Sequence, residues 1–118
     1  MSANRFRVEI PPHPEYLGTA RAFVSAVARG VEASEESVAD LNLAVSEACA
    51  IALSPGEPVR IRVSTLEAGL EVAVDLRDAG NETDDVERRD IITSLFPDTA
   101  LVPGADGSLV LTFVAPMG

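Results

Sequence analysis

Ser34 to Leu53 reads SEESVADLNLAVSEACAIAL, and the fold turns on this stretch. Val38, Leu41, Val45, Ala48, Cys49 and Ala52 recur at three- and four-residue spacing, which places them on one face of a helix. Ser34 suits the N-cap, because its hydroxyl can accept from a free amide of the first turn. Glu35 and Glu36 follow, where the positive end of the helix dipole favours carboxylates. Ser54-Pro55-Gly56 stops the helix. One residue breaks the pattern. Glu47 sits in the second half among Ala44, Ala48, Ala50 and Ile51. A carboxylate there is either solvated at the edge of the apolar face or held in a pocket for use.

Working outward toward the N-terminus, Glu15 to Arg29 predicts a second amphipathic helix. Leu17, Ala20, Val24, Val27 and Ala28 form its stripe, and Phe23 widens it. Pro14 suits its first position and Gly30 its C-terminal cap. Arg21 and Ser25 fall on its polar side. Few residues separate the two helices, so they are expected to pack as neighbours. Further out, Arg5 to Ile10 alternates, with Phe6, Val8 and Ile10 on one side and Arg5, Arg7 and Glu9 on the other. That is a half-buried strand, ended by Pro11-Pro12-His13-Pro14.

Toward the C-terminus, Pro58 to Thr65 and Leu70 to Leu76 alternate in the same way, and Glu67-Ala68-Gly69 joins them as a hairpin. Ala79-Gly80-Asn81 breaks the second strand. Asn81 to Glu87 is polar, acidic and without periodicity, which predicts a loop entering a helix, with Asp84-Asp85 at the helix start, where acids are favoured. Val86 to Phe96 predicts a short helix through Ile91, Ile92, Leu95 and Phe96, stopped by Pro97. Thr99 to Val102 reads as a short strand. Asp106-Gly107 signals a hairpin, and Leu109, Leu111 and Phe113 alternate in a last strand ending at Pro116. The fold class is therefore α/β (α+β): a two-layer sandwich, its mainly antiparallel sheet covered on one face by about three helices.

Composition narrows the chemistry. A chain of 118 residues forms a single domain, residues 1–118, and 47% apolar residues supply its core without metal or disulfide. The formal net charge is −10, which disfavours direct contact with nucleic acid or an anionic membrane. All nine basic residues are Arg. The absence of Lys excludes a Walker-type phosphate loop and Schiff-base chemistry. His13 lies between prolines, a poor setting for nucleophilic catalysis. Cys49 is the one cysteine, so no internal disulfide can form and a zinc site is not expected. Its place on the apolar stripe makes it a small core hydrophobe. The opening MSANRFRVEI has no apolar run of signal-peptide type, and a cytoplasmic location is expected.

Three segments taken together, PPHPEYLGTARAFVSAVA (11–28), DLNLAVSEACAIAL (40–53) and VDLRDAGNE (74–82), resemble the bacterial anti-sigma factor serine/threonine-protein kinases. These are histidine-kinase-type (GHKL) ATPases with the Bergerat fold. The resemblance runs from about Phe6 to Phe113. It implies that Glu47 stands at the general-base position of an E-x-x-x-N box, residues four apart on a helix sharing a face. Ile51 replaces the Asn that holds Mg²⁺ and has no oxygen to offer a hard cation. Asp78 and Gly80 match the D-x-G of the adenine site, with Glu82 where a second Gly belongs. The glycine-rich phosphate box is replaced by Val86 to Ile92, and the lid before it is shortened. Arg21 matches an arginine of the family's partner-binding surface. The cofactors implied are ATP or ADP with Mg²⁺, and no other metal. The implied partners are a sigma factor and/or an anti-anti-sigma (STAS-type) protein, with a homodimer also in keeping with the family.

The functional expectation is an anti-sigma regulatory factor acting by partner switching, with weak or absent nucleotide and kinase activity. One alternative is an active ATP-dependent serine kinase of an anti-anti-sigma factor. Another is an α/β interaction or dimerisation module that binds no nucleotide.

Overall fold

A computed structural model describes residues 4–53, 56–67, 69–77, 83–105 and 108–116. Strand β1 (Arg5–Ile10) leads through a 3-10 turn (Pro14–Tyr16) into helix α1 (Leu17–Gly30). Helix α2 (Glu35–Ala52) follows, then strands β2 (Val59–Thr65) and β3 (Gly69–Arg77), helix α3 (Thr83–Leu95), and strands β4 (Ala100–Pro103) and β5 (Leu109–Pro116). The five strands form one sheet in the order β1-β2-β3-β5-β4, every neighbouring pair antiparallel. β1 and β4 are its edges.

The alternation read from the sequence sets the two faces. Val59, Ile61 and Val63 of β2, Leu70, Val72, Val74 and Leu76 of β3, and Leu111, Phe113 and Ala115 of β5 are buried. They meet the predicted stripes of α1 and α2: Ala20, Val24, Val27 and Ala28 from one, Val38, Leu41, Val45, Ala48, Cys49 and Ala52 from the other. α1 lies over β1 and β2, α2 lies over β3 and β5, and α3 packs chiefly against α2. Phe96, just past the end of α3, stacks on Phe113 of β5 with ring centroids 5.2 Å apart. The expected two-layer arrangement of sheet and three helices is thus the observed one.

The differences lie at element ends. α1 starts at Leu17, because the chain first makes the 3-10 turn, with Pro14 in its first position. The helix runs through Gly30, and its C-terminal motif falls on Glu32 instead, at φ 61°. Ala33 N–H donates to Ala28 O and Glu32 N–H to Arg29 O, both at 3.0 Å, which is the paired 6→1 and 5→2 bonding of a Schellman motif. α3 begins at Thr83, one residue before the Asp84-Asp85 expected at its start. The Asp106-Gly107 hairpin and the Ala79-Gly80-Asn81 break lie outside the described residues. Among the described residues no helix is long and apolar enough to cross a membrane.

Candidate functional site

The site is built on α2. Ser34 caps it as expected, its Oγ accepting from Ser37 N–H at 3.1 Å. The cap fixes where the helix starts, and so which way Glu47 and Ile51 face. Glu47 is not a solvated edge residue. Its side chain is 16% exposed and its Oε2 accepts from Arg88 Nη1 of α3 at 2.9 Å. Ile51, one turn on, is buried at 2% exposure. At the two positions that the resemblance gives to an E-x-x-x-N box, then, stand a carboxylate tied to an arginine and a buried hydrocarbon.

Arg21 occupies a different place from the polar outer face expected of it. It is half-buried between α1 and α2, and its Nη1 donates to Ser46 Oγ at 3.1 Å. Ser46 Oγ in turn donates to Asn42 O, one turn back, at 2.9 Å. Ser25, also expected on the polar side, is 5% exposed, and its Oγ donates to Asn42 Oδ1 at 2.6 Å. The pair Arg21–Ser25 on α1 therefore meets the pair Asn42–Ser46 on α2. Each pair is four residues apart, and the two make a polar seam between helices that otherwise pack through Val, Leu and Ala. That register was readable only by laying both helices side by side.

Two arginines from different helices thus hold consecutive residues of α2, Arg21 on Ser46 and Arg88 on Glu47. Local periodicity carried no sign of the second. Its one cue was the doublet Arg88-Arg89 inside an otherwise acidic segment. Beneath them burial pushes the Cys49 thiol up to about 12, against a smaller opposing pull from the positive charge of Arg21. That thiol is a core group with no nucleophilic character at neutral pH. His13 is exposed beside Tyr16.

Residues 10–94 match the histidine kinase-like ATPase domain family. The chain belongs to that family. Within it, the chain is similar to the serine-protein kinase RsbW of Bacillus velezensis and of Bacillus subtilis. It is 35% identical to each over 98 residues, which cover 76% of this chain and 59% of theirs. The RsbW of Bacillus licheniformis is 29% identical over 118 residues, covering 93% of this chain and 71% of that protein. This histidine kinase-like ATPase domain spans about three fifths of the length of the first two relatives. Its fold matches a crystal structure of the RsbU and RsbW domains of Rv1364c from Mycobacterium tuberculosis. There the TM-score is 0.76 at 15% identity, over 97% of this chain and 32% of that one.

The resemblance implies ATP with Mg²⁺, so the fit of both can be asked of the residues present. The metal end does not fit. Mg²⁺ requires oxygen ligands near 2.1 Å in octahedral array, and Ile51 has none. The nearby carboxylate of Glu47 is already neutralised by Arg88. Among the described residues no three His, Cys, Asp or Glu side chains converge as a metal site. Asp78 and Gly80, which the resemblance gives to the adenine site, lie with Glu82 outside the described residues. β3 leads to them through a register shift between Asp75 and Arg77.

Proposed function

We propose that this domain is an anti-sigma regulatory factor working by partner switching: it binds a sigma factor and/or an anti-anti-sigma protein of STAS type, in the cytoplasm, with nucleotide and kinase chemistry weak or absent. The observation that carries the reading is Ile51. Residues 10–94 match the histidine kinase-like ATPase domain, and a buried isoleucine stands at the very position where the resemblance asks for a metal-holding Asn. A fold kept without that metal-holding Asn is in keeping with a role in protein binding rather than in phosphate transfer. In this reading Arg21 presents the partner surface, Asp78 and Gly80 form whatever remains of the adenine contact, and Glu47 is a vestigial general base.

The test has two arms. In the first, the protein is melted with Mg·ATP and Mg·ADP at about a hundred times a typical dissociation constant. A working site at that occupancy stabilises by about 2.7 kcal/mol, which for a domain of this size is a shift of about 10 °C. We expect a far smaller shift. The second arm measures binding of sigma factors and STAS domains from the same cell, with Arg21→Ala expected to weaken it. Binding to neither class sinks the proposal. Retention of Glu47, half-buried and aligned on α2, favours one alternative, an active serine kinase. Labelled phosphate passing from ATP to a STAS domain, and lost in Glu47→Ala, would establish that alternative.

A further inference from the structure

The open face of the sheet, on the opposite side from Glu47, carries a charge pattern that partner binding through Arg21 does not use. In a chain of net charge −10, four of the nine arginines gather there on β1 and β2: Arg5, Arg7, Arg60 and Arg62. Arg60 is paired with Glu9 at 2.8 Å and Arg62 with Asp75 at 2.8 Å. Arg5 and Arg7 are exposed, and neither has an ion pair among the described residues. Arg7 also lies directly across from Arg62, a like-charge pairing that works against the sheet.

β1 is an edge strand, and its free side is legible from the ladder. Thr65 N–H donates to Asn4 O at 2.9 Å, so Asn4 and every second residue after it turn their backbone groups toward β2. Arg5, Arg7 and Glu9 therefore turn theirs outward. On the helix side of this same edge lies an apolar groove of about 440 Å³, lined by Phe6, Phe23, Val27 and Val31 among others. Phe6, which lines it, is 40% exposed.

We propose that β1 accepts an extended segment of a partner protein as a sixth strand, one that alternates acidic and apolar side chains. The pleat demands that pattern. A strand added beside β1 sends successive side chains to opposite faces. One set meets Arg5 and Arg7, and the other enters the groove beside Phe6. At physiological salt, charges beyond about 8 Å are screened, so the local arginines outweigh the overall negative charge in contact. A second copy of the chain is the poorer complement, because it brings the same arginines and the same charge of −10. Arginines placed only to keep an edge from pairing would not need an open apolar groove at their back.

The probe is a fluorescein-labelled peptide, Glu-Val-Glu-Val-Glu-Val-Glu, with a Lys-for-Glu counterpart as control. Saturable anisotropy is expected with the acidic peptide alone, weakening as salt is raised. Arg5→Gln/Arg7→Gln should weaken binding about tenfold. Glu9→Pro keeps both arginines but removes an outward amide without touching the β1–β2 ladder, and should weaken it further. Hydrogen exchange should slow at the amides of Arg5, Arg7 and Glu9 when the peptide is added. The proposal is overturned by equal binding of the lysine peptide, by indifference to both variants, or by no binding at all. It is equally overturned if a single-stranded RNA competes the peptide away at lower concentration. Self-association of Arg5→Gln/Arg7→Gln, where the parent neither self-associates nor binds peptide, overturns it too, since the arginines then only guard the edge. So does sedimentation of the parent as a dimer with β1 amides already protected, which gives the edge to a second copy. None of these readouts depends on nucleotide or on Arg21.

Discussion

Glu47 and Cys49 lie close together on α2 in unlike surroundings, and each supports a measurement. The Cys49 thiol is pushed by burial from its ordinary 9.0 up to about 12. Between those values the unfolded chain gives up its thiol proton while the folded chain keeps it. Stability from this group is therefore whole below pH 9 and falls as pH rises toward 12, by up to about 1.4 kcal/mol per pH unit. Urea unfolding at pH 8, 9 and 10 should show that slope in the parent and not in Cys49→Ala; parallel curves would mean that the thiol is not buried as described. Glu47 and Arg88 form a pair with one end half-buried and the other 41% exposed. Such a pair stands between an exposed bridge, worth at most about 1 kcal/mol, and a buried one. Arg88→Ala should destabilise by about 1–2 kcal/mol, and a double-mutant cycle with Glu47→Gln should return a coupling of about 1 kcal/mol. A coupling indistinguishable from zero would reduce the pair to a screened surface contact. The oddity of Glu47 was legible in the sequence, because a carboxylate stood among alanines on an apolar face. Its partner was not, because Arg88 lies 41 residues away and only the packing of α3 on α2 brings them together.

At the scale of elements, apolar periodicity gave the elements and their order, while caps decided where each one ends. Gly30 looked like the C-cap of α1, since glycine is the usual left-handed residue there. The Schellman bonds instead close on Glu32, which takes φ 61° with a side chain in place. The two-residue difference follows from Ala33, whose methyl packs on the core and fixes the register of the link into Ser34. A side chain in the left-handed region costs about 1 kcal/mol. Glu32→Gly should therefore raise stability by about 0.5–1 kcal/mol despite glycine's looser unfolded state. Chemical unfolding of the two proteins side by side decides it; a loss of stability in the glycine variant would show that Glu32 makes a compensating contact. The polar seam of Arg21, Ser25, Asn42 and Ser46 escaped the single-helix reading for a related reason. A polar residue on a helix is assigned to solvent by default, and only the facing helix reveals that it has a partner.

For the molecule as a whole, the sheet order and the covered face followed from alternation and short connections, and the resemblance pointed to the family on three segments. The site was less legible, since its decisive features are an absence at Ile51 and a long-range pair at Arg88. The same geometry makes a statement about motion. α1, α2 and the inner strands share one buried cluster, whereas α3 enters it through Ile92 and Phe96, with Leu95 at its margin. Val86 and Ile91 of α3 are 40% and 39% exposed. An element held by few buried side chains opens at lower free energy than the core it rests on. Amides of α3 should therefore exchange through a local opening, well before those of α2, β2 and β3. Phe96→Ala removes the stack on Phe113, and deleting a buried phenyl costs about 3 kcal/mol or more. If the opening is local, that loss should speed α3 exchange roughly a hundredfold, and α2, which exchanges only when the core opens, should still exchange later than α3 by an unchanged margin. If α2 and α3 amides exchange at one and the same free energy, the three helices and the sheet open as one unit. In the local case Glu47 is uncovered each time α3 lifts and takes Arg88 with it. Exchange of α3 should then quicken in Arg88→Ala as well, by about tenfold for a loss of about 1.4 kcal/mol.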